Sequence, residues 1–356
     1  MKERIYVCHT FYHAYISVLK ELALPEEQHG QATLVLSTMS CNFGDFPARV
    51  RKTGFFEEVI LFDEKAEKEF PDLVELRKEK GSTFKNMLAR ITFTRKYAEY
   101  QEPYIPVNFK EYGDIYVFCD SDPIGYYLNK KRIRYHAVED GLNCLKNFDA
   151  ARYENRGHFK LKAFLSKKLN LIFVQNGYGK YCKDMEVNDI SAITHPCKYY
   201  IEVPRKPLVD RLTEEDKELI FSMFVSDMKE LREKIAQGKQ YPEKVLNLTD
   251  PLCTLDVRER IFRDIIEEYG KDAQVFLKPH PRDVLDYKTL FAEYPMFDAA
   301  MPMEILNFFD DVHFTKAIGV LTEMKGITFA DENIRLGADF MDKYEEPAIH
   351  RQNEMI

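Results

Sequence analysis

No stretch of this 356-residue chain approaches the ~18–20 consecutive apolar residues that a membrane span requires, which argues against an integral membrane protein. The opening, MKERIYVCHTFYH, enters a strand-like segment directly. It has neither an apolar signal-peptide core nor a small-residue cleavage site, so the cytoplasm is the expected compartment. The seven cysteines (Cys8, Cys41, Cys119, Cys144, Cys182, Cys197 and Cys253) include no CxxC pair. That argues against a zinc module and against a disulfide framework, and the cysteines in apolar runs are expected as reduced core residues. A P-loop is absent, as is a GxGxxG turn after a strand; NGYGK at 176–180 is too short a match. HExxH and a nucleophile elbow are missing as well. Internal repeats and low-complexity segments are also lacking.

What is present is an ordinary globular composition, 45% hydrophobic and 31% charged, with ample material for a core. At ~150 residues per domain the length predicts two domains. The net charge of −8 disfavours a general nucleic-acid binder and leaves room only for local basic patches.

Along the chain, strand-like runs at 5–8, 33–36 and 59–62 alternate with helix-like segments at 13–22 and 45–53. Residues 64–100 are charged and helix-prone. The alternation resumes with strands at 114–119 and 134–138 around a helix at 123–129. This pattern predicts βαβ units and a mainly parallel sheet, an α/β fold. A basic stretch at 156–173 sets Lys160, Lys162, Lys167 and Lys168 among apolar residues. It reads either as a helix covering the sheet or as a cationic face for a membrane or an anionic acceptor. An extended, proline-containing segment and one charged helix capped near Thr213 connect the halves across 201–244. The second half begins with a strand at 245–248, a helix at 258–269 and a strand ending at Lys278. A short helix at 301–309, with Pro302 near its start, and a closing segment at 334–344 follow. The expected division is 1–205, a helical linker at 206–244, and 245–356.

Two strand ends carry candidate chemistry. One is Lys278-Pro279-His280-Pro281-Arg282, where two prolines stiffen a cationic turn. In an open α/β sheet ligands sit beyond the carboxyl ends of strands, and such a turn suits a phosphate. The other is Glu139-Asp140-Gly141, where the glycine permits a tight turn that leaves a carboxylate free. A cleft between two α/β domains would bring them face to face, a carboxylate accepting a proton from an attacking hydroxyl while the imidazole assists a departing phosphate. A competing motif is Asp120-Ser121-Asp122, which reads either as a metal–diphosphate site or as a helix N-cap at Asp122.

EDG in the first half and HP, set in KPHPRD, in the second resemble the two signature motifs of bacterial sialyltransferases. The chain is most similar to the lipooligosaccharide sialyltransferase family, glycosyltransferase family 52, with the bacterial polysialyltransferases as relatives. CHTFYHAYISVLK, LNLTDPL, MPMEIL and IRLGADFM carry the resemblance in the expected order over most of the chain. The resemblance implies a GT-B fold, two Rossmann-like domains with a cleft between them. It implies an inverting sialyltransferase that moves sialic acid from CMP-sialic acid to a terminal sugar, galactose foremost, of lipooligosaccharide or capsule. By carry-over Glu139 resembles the general base, with Asp140 able to exchange roles with it, and His280 resembles the group that contacts the CMP phosphate. Glu304 resembles the carboxylate on the ribose hydroxyls. Lys278, Pro281, Arg282, Thr249 and Thr322 fall on the donor side, and Thr10, His13 and Gly141 on the acceptor side.

In one respect the chain departs from the family. The paired hydroxyls late in its second domain are reduced here to Leu321-Thr322, which keeps two rivals in play. One is a GT-B transferase using a CDP- or UDP-linked donor, such as a teichoic-acid-type glycerophosphotransferase; the other is a catalytically silent nucleotide-binding protein. A single donor phosphate needs no bridging metal, so neither metal nor other cofactor is expected. The implied partners are a nucleotide-sugar donor and a glycan acceptor, with peripheral association at the inner membrane face and a homodimer both compatible with the sequence.

Overall fold

A computed structural model describes residues 2–141, 145 and 150–350; Cys144 lies outside them. The chain forms two compact units, one ending at Arg211 and the next beginning at Leu212. Each contains its own parallel sheet, as the alternation predicts and as a GT-B protein requires.

The first unit has a seven-stranded sheet ordered β3-β2-β1-β4-β5-β6-β7. Its strands are β1 (Lys2–Cys8), β2 (Ala32–Ser37), β3 (Glu58–Phe62), β4 (Tyr112–Phe118), β5 (Tyr135–Val138), β6 (Cys182–Val187) and β7 (Tyr200–Glu202). β1 and β2 are near-continuous apolar runs because both faces of a central parallel strand are covered. The helices are α1 (Phe11–Leu22), α2 (Phe46–Thr53), α3 (Pro71–Arg77), α4 (Thr83–Gln101), α5 (Pro123–Lys131), α6 (Ala150–Glu154), α7 (Phe159–Lys167) and α8 (Lys206–Asp210). Buried polar bonds lock α1 in place. Glu21 accepts from Arg4 Nε at 2.7 Å and from Tyr6 Oη at 2.7 Å, and Lys20 Nζ donates to Glu186 at 2.6 Å. The helix-prone stretch after β3 forms α3 and α4, and Phe93 and Tyr97 of α4 pack against Tyr126 of α5 and Phe173.

The second unit has a four-stranded sheet, β11-β10-β8-β9, from β8 (Lys244–Leu248), β9 (Gln274–Lys278), β10 (Phe314–Gly319) and β11 (Ala330–Arg335). Its longer helices are α9 (Glu214–Phe224), α10 (Met228–Gly238) and α11 (Leu255–Tyr269). The single charged helix expected across 213–235 is two. Thr213 caps α9 in a capping box with Asp216, the chain turns extended at Val225, and Asp227 starts α10 by accepting from Glu230 N at 2.9 Å. Neither helix is a free linker. Phe221 stacks on Phe309 at 4.8 Å, and Phe224 is buried, so both α9 and the boundary belong to the second core. The segment after Pro302 is a 3-10 helix, Met303–Phe308, where an ordinary helix was expected.

Among the described residues no helix is long and apolar enough to cross a membrane.

Candidate active site

Strand register decides which residues leave the first sheet together. Val7 pairs with Val117 and Phe118 with Val138. His9, Cys119 and Glu139 are therefore the first residues beyond three neighbouring strands, at the point where the order reverses between β1 and β4. That reversal is where open α/β sheets bind ligands.

Thr10 caps α1, its hydroxyl accepting from His13 N at 3.2 Å. His13 is fully buried. Its Nδ1 accepts from His9 N at 3.0 Å, which leaves the ring proton on Nε2, and Nε2 donates to Asp140. The ring also stacks on Phe118 at 4.5 Å. His13 therefore reaches the site through Asp140 and has no open face for a sugar, a correction to its expected direct contact. Asp140 keeps 25% of its side chain exposed.

Glu139 is only 2% exposed. Its Oε2 has no hydrogen-bond partner among the described residues. Burial pushes its carboxyl above the usual range, with the Arg205 guanidinium pulling the other way. Of the paired carboxylates, Asp140 is hydrogen-bonded to His13 and partly exposed, whereas Glu139 is buried. Gly141 sits at φ 140, a backbone region closed to residues with a Cβ, which is why glycine ends the motif.

Three residues escaped the sequence reading. His9 is buried, and its Nε2 contacts Glu64 at 2.8 Å and Asp122 at 3.3 Å. Burial opposes a charge on this ring, but the two carboxylates outweigh it and raise its pKa. Glu64 also accepts from Ser37 Oγ at 2.6 Å and from Ile124 N at 2.8 Å. Asp122 does occupy the N-cap position of α5 but makes no capping bond, since its side chain is turned to His9 and Glu64 takes the helix N–H instead. Asp120 is buried and gives its oxygens to Tyr135 Oη at 3.0 Å and Asn176 N at 2.8 Å. The Asp-Ser-Asp motif thus lacks the paired outward carboxylates of a metal–diphosphate site. The only signal for His9 was its place at a strand end; Glu64 and Arg205 had none.

In the second unit Leu248 pairs with both Lys278 and Gly319, which gathers the ends of β8, β9 and β10. His280 N donates to Thr249 Oγ1 at 3.0 Å, and Arg282 N donates to His280 Nδ1 at 3.1 Å. These bonds orient the ring and place its proton on Nε2. Arg282 and Pro281 are exposed. Thr322 gives its hydroxyl hydrogen to Asp250 at 2.8 Å, and Leu321 N donates to the same carboxylate at 3.0 Å. Thr322 thus has no hydrogen left for a donor phosphate, and its expected contact is replaced by a tie between the β8 and β10 ends. Glu304 is partly buried, its carboxyl raised by burial and drawn back by Lys278.

Lys278 is also displaced from its expected role. It is 6% exposed, and Nζ donates to Pro279 O at 3.2 Å and Ala299 O at 3.0 Å. It underpins the turn as a buried ammonium and offers no exposed phosphate contact. Burial lowers its pKa from 10.5 to about 8, with Asp298 and Glu304 partly restoring the charge. Between those values the unfolded chain holds a proton that the folded chain has released, so folding stability rises with pH there. Denaturant titrations should show a gain of up to about 3 kcal/mol from pH 8 to 10.5, and Lys278→Met should flatten that slope.

The family model of glycosyltransferase family 52 matches residues 58–320. The chain belongs to glycosyltransferase family 52. That membership places it among the glycosyltransferases. Solved structures with the same fold include an α/β-galactoside α-2,3-sialyltransferase from Photobacterium phosphoreum, with TM-score 0.54 and 12% identity over 93% of this chain and 90% of that one. Another is a Photobacterium 2,6-sialyltransferase in complex with CMP and lactose, with TM-score 0.57 and 10% identity over 93% and 70% of the two chains. At these identities the likeness is one of fold. An uncharacterized Haemophilus influenzae protein is 30% identical over 124 residues, 33% of this chain and 37% of its own length.

Proposed function

We propose that this protein is an inverting sialyltransferase that carries sialic acid from CMP-sialic acid to a terminal galactose of a cell-surface glycan, lipooligosaccharide or capsule. The observation that carries the reading is the His13–Asp140 pair in a family 52 chain. It is a partly exposed carboxylate whose imidazole partner is locked in one tautomer by a backbone N–H. Asp140 takes the proton of the acceptor hydroxyl, and His13 positions it. On the donor side His280 Nε2–H and Arg282 neutralise the departing phosphate, with Thr249 orienting the histidine. Glu304 accepts from the ribose diol. Lys278 and Thr322 support these groups from below the turn.

Calorimetric titration with CMP, CDP and UDP tests the donor class. CMP should bind tightest; a preference for CDP or UDP moves the reading to a glycerophosphotransferase-like enzyme. CMP binding without donor hydrolysis or transfer moves it to a silent nucleotide-binding protein. Transfer is proposed to need no metal, so activity should survive EDTA.

The enzyme is further proposed to work at the cytoplasmic face of the membrane. α4 and α7 rest on one small apolar cluster through Met87, Ile91, Phe159 and Leu165. Each helix also carries outward apolar residues, Phe84 at 72% and Leu88 at 48% exposure on α4, Leu161 and Phe164 both at 52% on α7. Exposed Lys85, Lys160 and Lys168 accompany them. Lys167, by contrast, donates to three backbone carbonyls, and Lys162 donates to Arg156 O, so fewer lysine ammonium groups are left to face outward than the sequence suggests. Apolar residues with adjacent lysines suit an anionic bilayer surface. Flotation with phosphatidylglycerol-containing vesicles should recover the protein, and Phe84→Glu with Phe164→Glu should abolish recovery without changing the melting temperature. Equal flotation of the double variant would rule this surface out.

A further inference from the structure

We propose that His9, His13 and Cys119 form a binding site for a zinc-class divalent ion, a property separate from the transfer reaction above. One ligand atom from each lies within 4.8 Å of those of the other two. A closed tetrahedral zinc shell has its N and S ligands roughly 3.3–3.7 Å apart, so closure needs side-chain movements of about an ångström.

The hydrogen-bond pattern names the ligating nitrogens. In metal sites a ligand histidine nearly always gives its other ring N–H to a carboxylate or carbonyl, which fixes the ring and raises its basicity. Here His9 Nε2 faces Glu64 at 2.8 Å, and His13 Nε2 faces Asp140. Both rings therefore turn Nδ1 away from their carboxylates. His9 Nδ1 is buried in a residue 1% exposed and has no hydrogen-bond partner among the described residues. A polar atom so placed is rare and calls for an ion or a water. His13 Nδ1 accepts the His9 N–H at 3.0 Å, and a metal would take the place of that hydrogen. Cys119 supplies the soft ligand. It leaves β4 beside His9 in register, at φ 54, and is partly exposed, which gives an ion a way in. Two imidazoles and a thiolate favour zinc over magnesium or calcium, and a fourth position remains for water or another oxygen. Binding releases the thiol proton and any proton on His9 Nδ1 to solvent.

Cobalt reports this site directly. The EDTA-stripped 356-residue chain titrated with Co²⁺ should bind one equivalent and develop thiolate-to-cobalt charge-transfer absorption. Cys119→Ser should lose that absorption, and Glu64→Gln, which removes the carboxylate behind His9, should weaken binding by about 10–100-fold. A measurement on the unmodified protein guards against misfolded variants. Iodoacetamide labelling resolved by peptide should show Cys119 protected at least tenfold by Zn²⁺, while the partly exposed Cys253 labels at an unchanged rate. No charge-transfer band, or Cys119 labelling equally fast with and without Zn²⁺, overturns the site.

Discussion

Asp140→Asn is expected to lower kcat by about 10²–10⁴-fold, the contribution typical of a positioned general base. An amide in that place can still accept the His13 Nε2–H, so the fold and the ring should stay where they are while the proton acceptor is lost. CMP affinity should change little, because the groups assigned to the nucleotide all belong to the second unit. Glu139→Gln should be much milder. Its Oε2 is buried, and burial already disfavours the ionised form. His13→Gln tests the positioning role separately, since it should shift the pH profile of kcat with a smaller loss of rate. The decisive comparison is steady-state kinetics of the two carboxylate variants with melting temperatures measured alongside. A crippling Glu139→Gln beside a mild Asp140→Asn would return the base to Glu139. Equal loss of stability in both, without a specific kinetic effect, would reduce the motif to a turn.

His280→Ala should lower kcat by about 10²–10³-fold, as loss of one preorganised donor to a developing anion does. It should also weaken CMP by roughly 10–100-fold, the worth of a hydrogen bond to a charged group. The two losses arise together because one N–H serves both bound nucleotide and departing phosphate. The backbone bonds through Thr249 Oγ1 and Arg282 N hold that N–H in place before anything binds. Thr249→Val should therefore reproduce part of the His280 effect by freeing the turn. Full turnover in His280→Ala would make the proline-flanked turn structural and remove the main donor-side support for sialyl transfer.

Much of the architecture was legible because its causes are local. Apolar runs of four to six residues, set between helix-like segments, suit buried parallel strands, and Pro279 and Pro281 end the run before them because proline cannot continue a central strand. β6 and β7 were missed because CKDMEV and YIE carry charges among few apolar residues, and β-strand propensity there yields to position at the sheet's margin. The break at Val225 was missed for a related reason. The helical pattern on either side is good, and only the capping bond from Asp227 shows that a new helix begins.

The order of residues alone determined that there would be two parallel α/β units, that 139–141 and 278–282 would stand at strand ends, and that glycine would close the first motif. These follow from periodicity, proline geometry and the φ that Gly141 needs, which no distant contact changes. Which carboxylate faces solvent was decided by tertiary structure, because Glu139 and Asp140 are chemically alike and only the sheet's pleat and the buried His13 distinguish them. The same holds for Lys278 and Thr322, whose polar hydrogens look available in the sequence and are taken in the fold by Ala299 O, Pro279 O and Asp250. It holds most for His9, Glu64 and Cys119. They lie 55 residues or more apart in sequence. Register across the parallel strands β3, β2, β1 and β4 brings them to the same end of the sheet, and no spacing rule along the chain can see a contact made across that sheet.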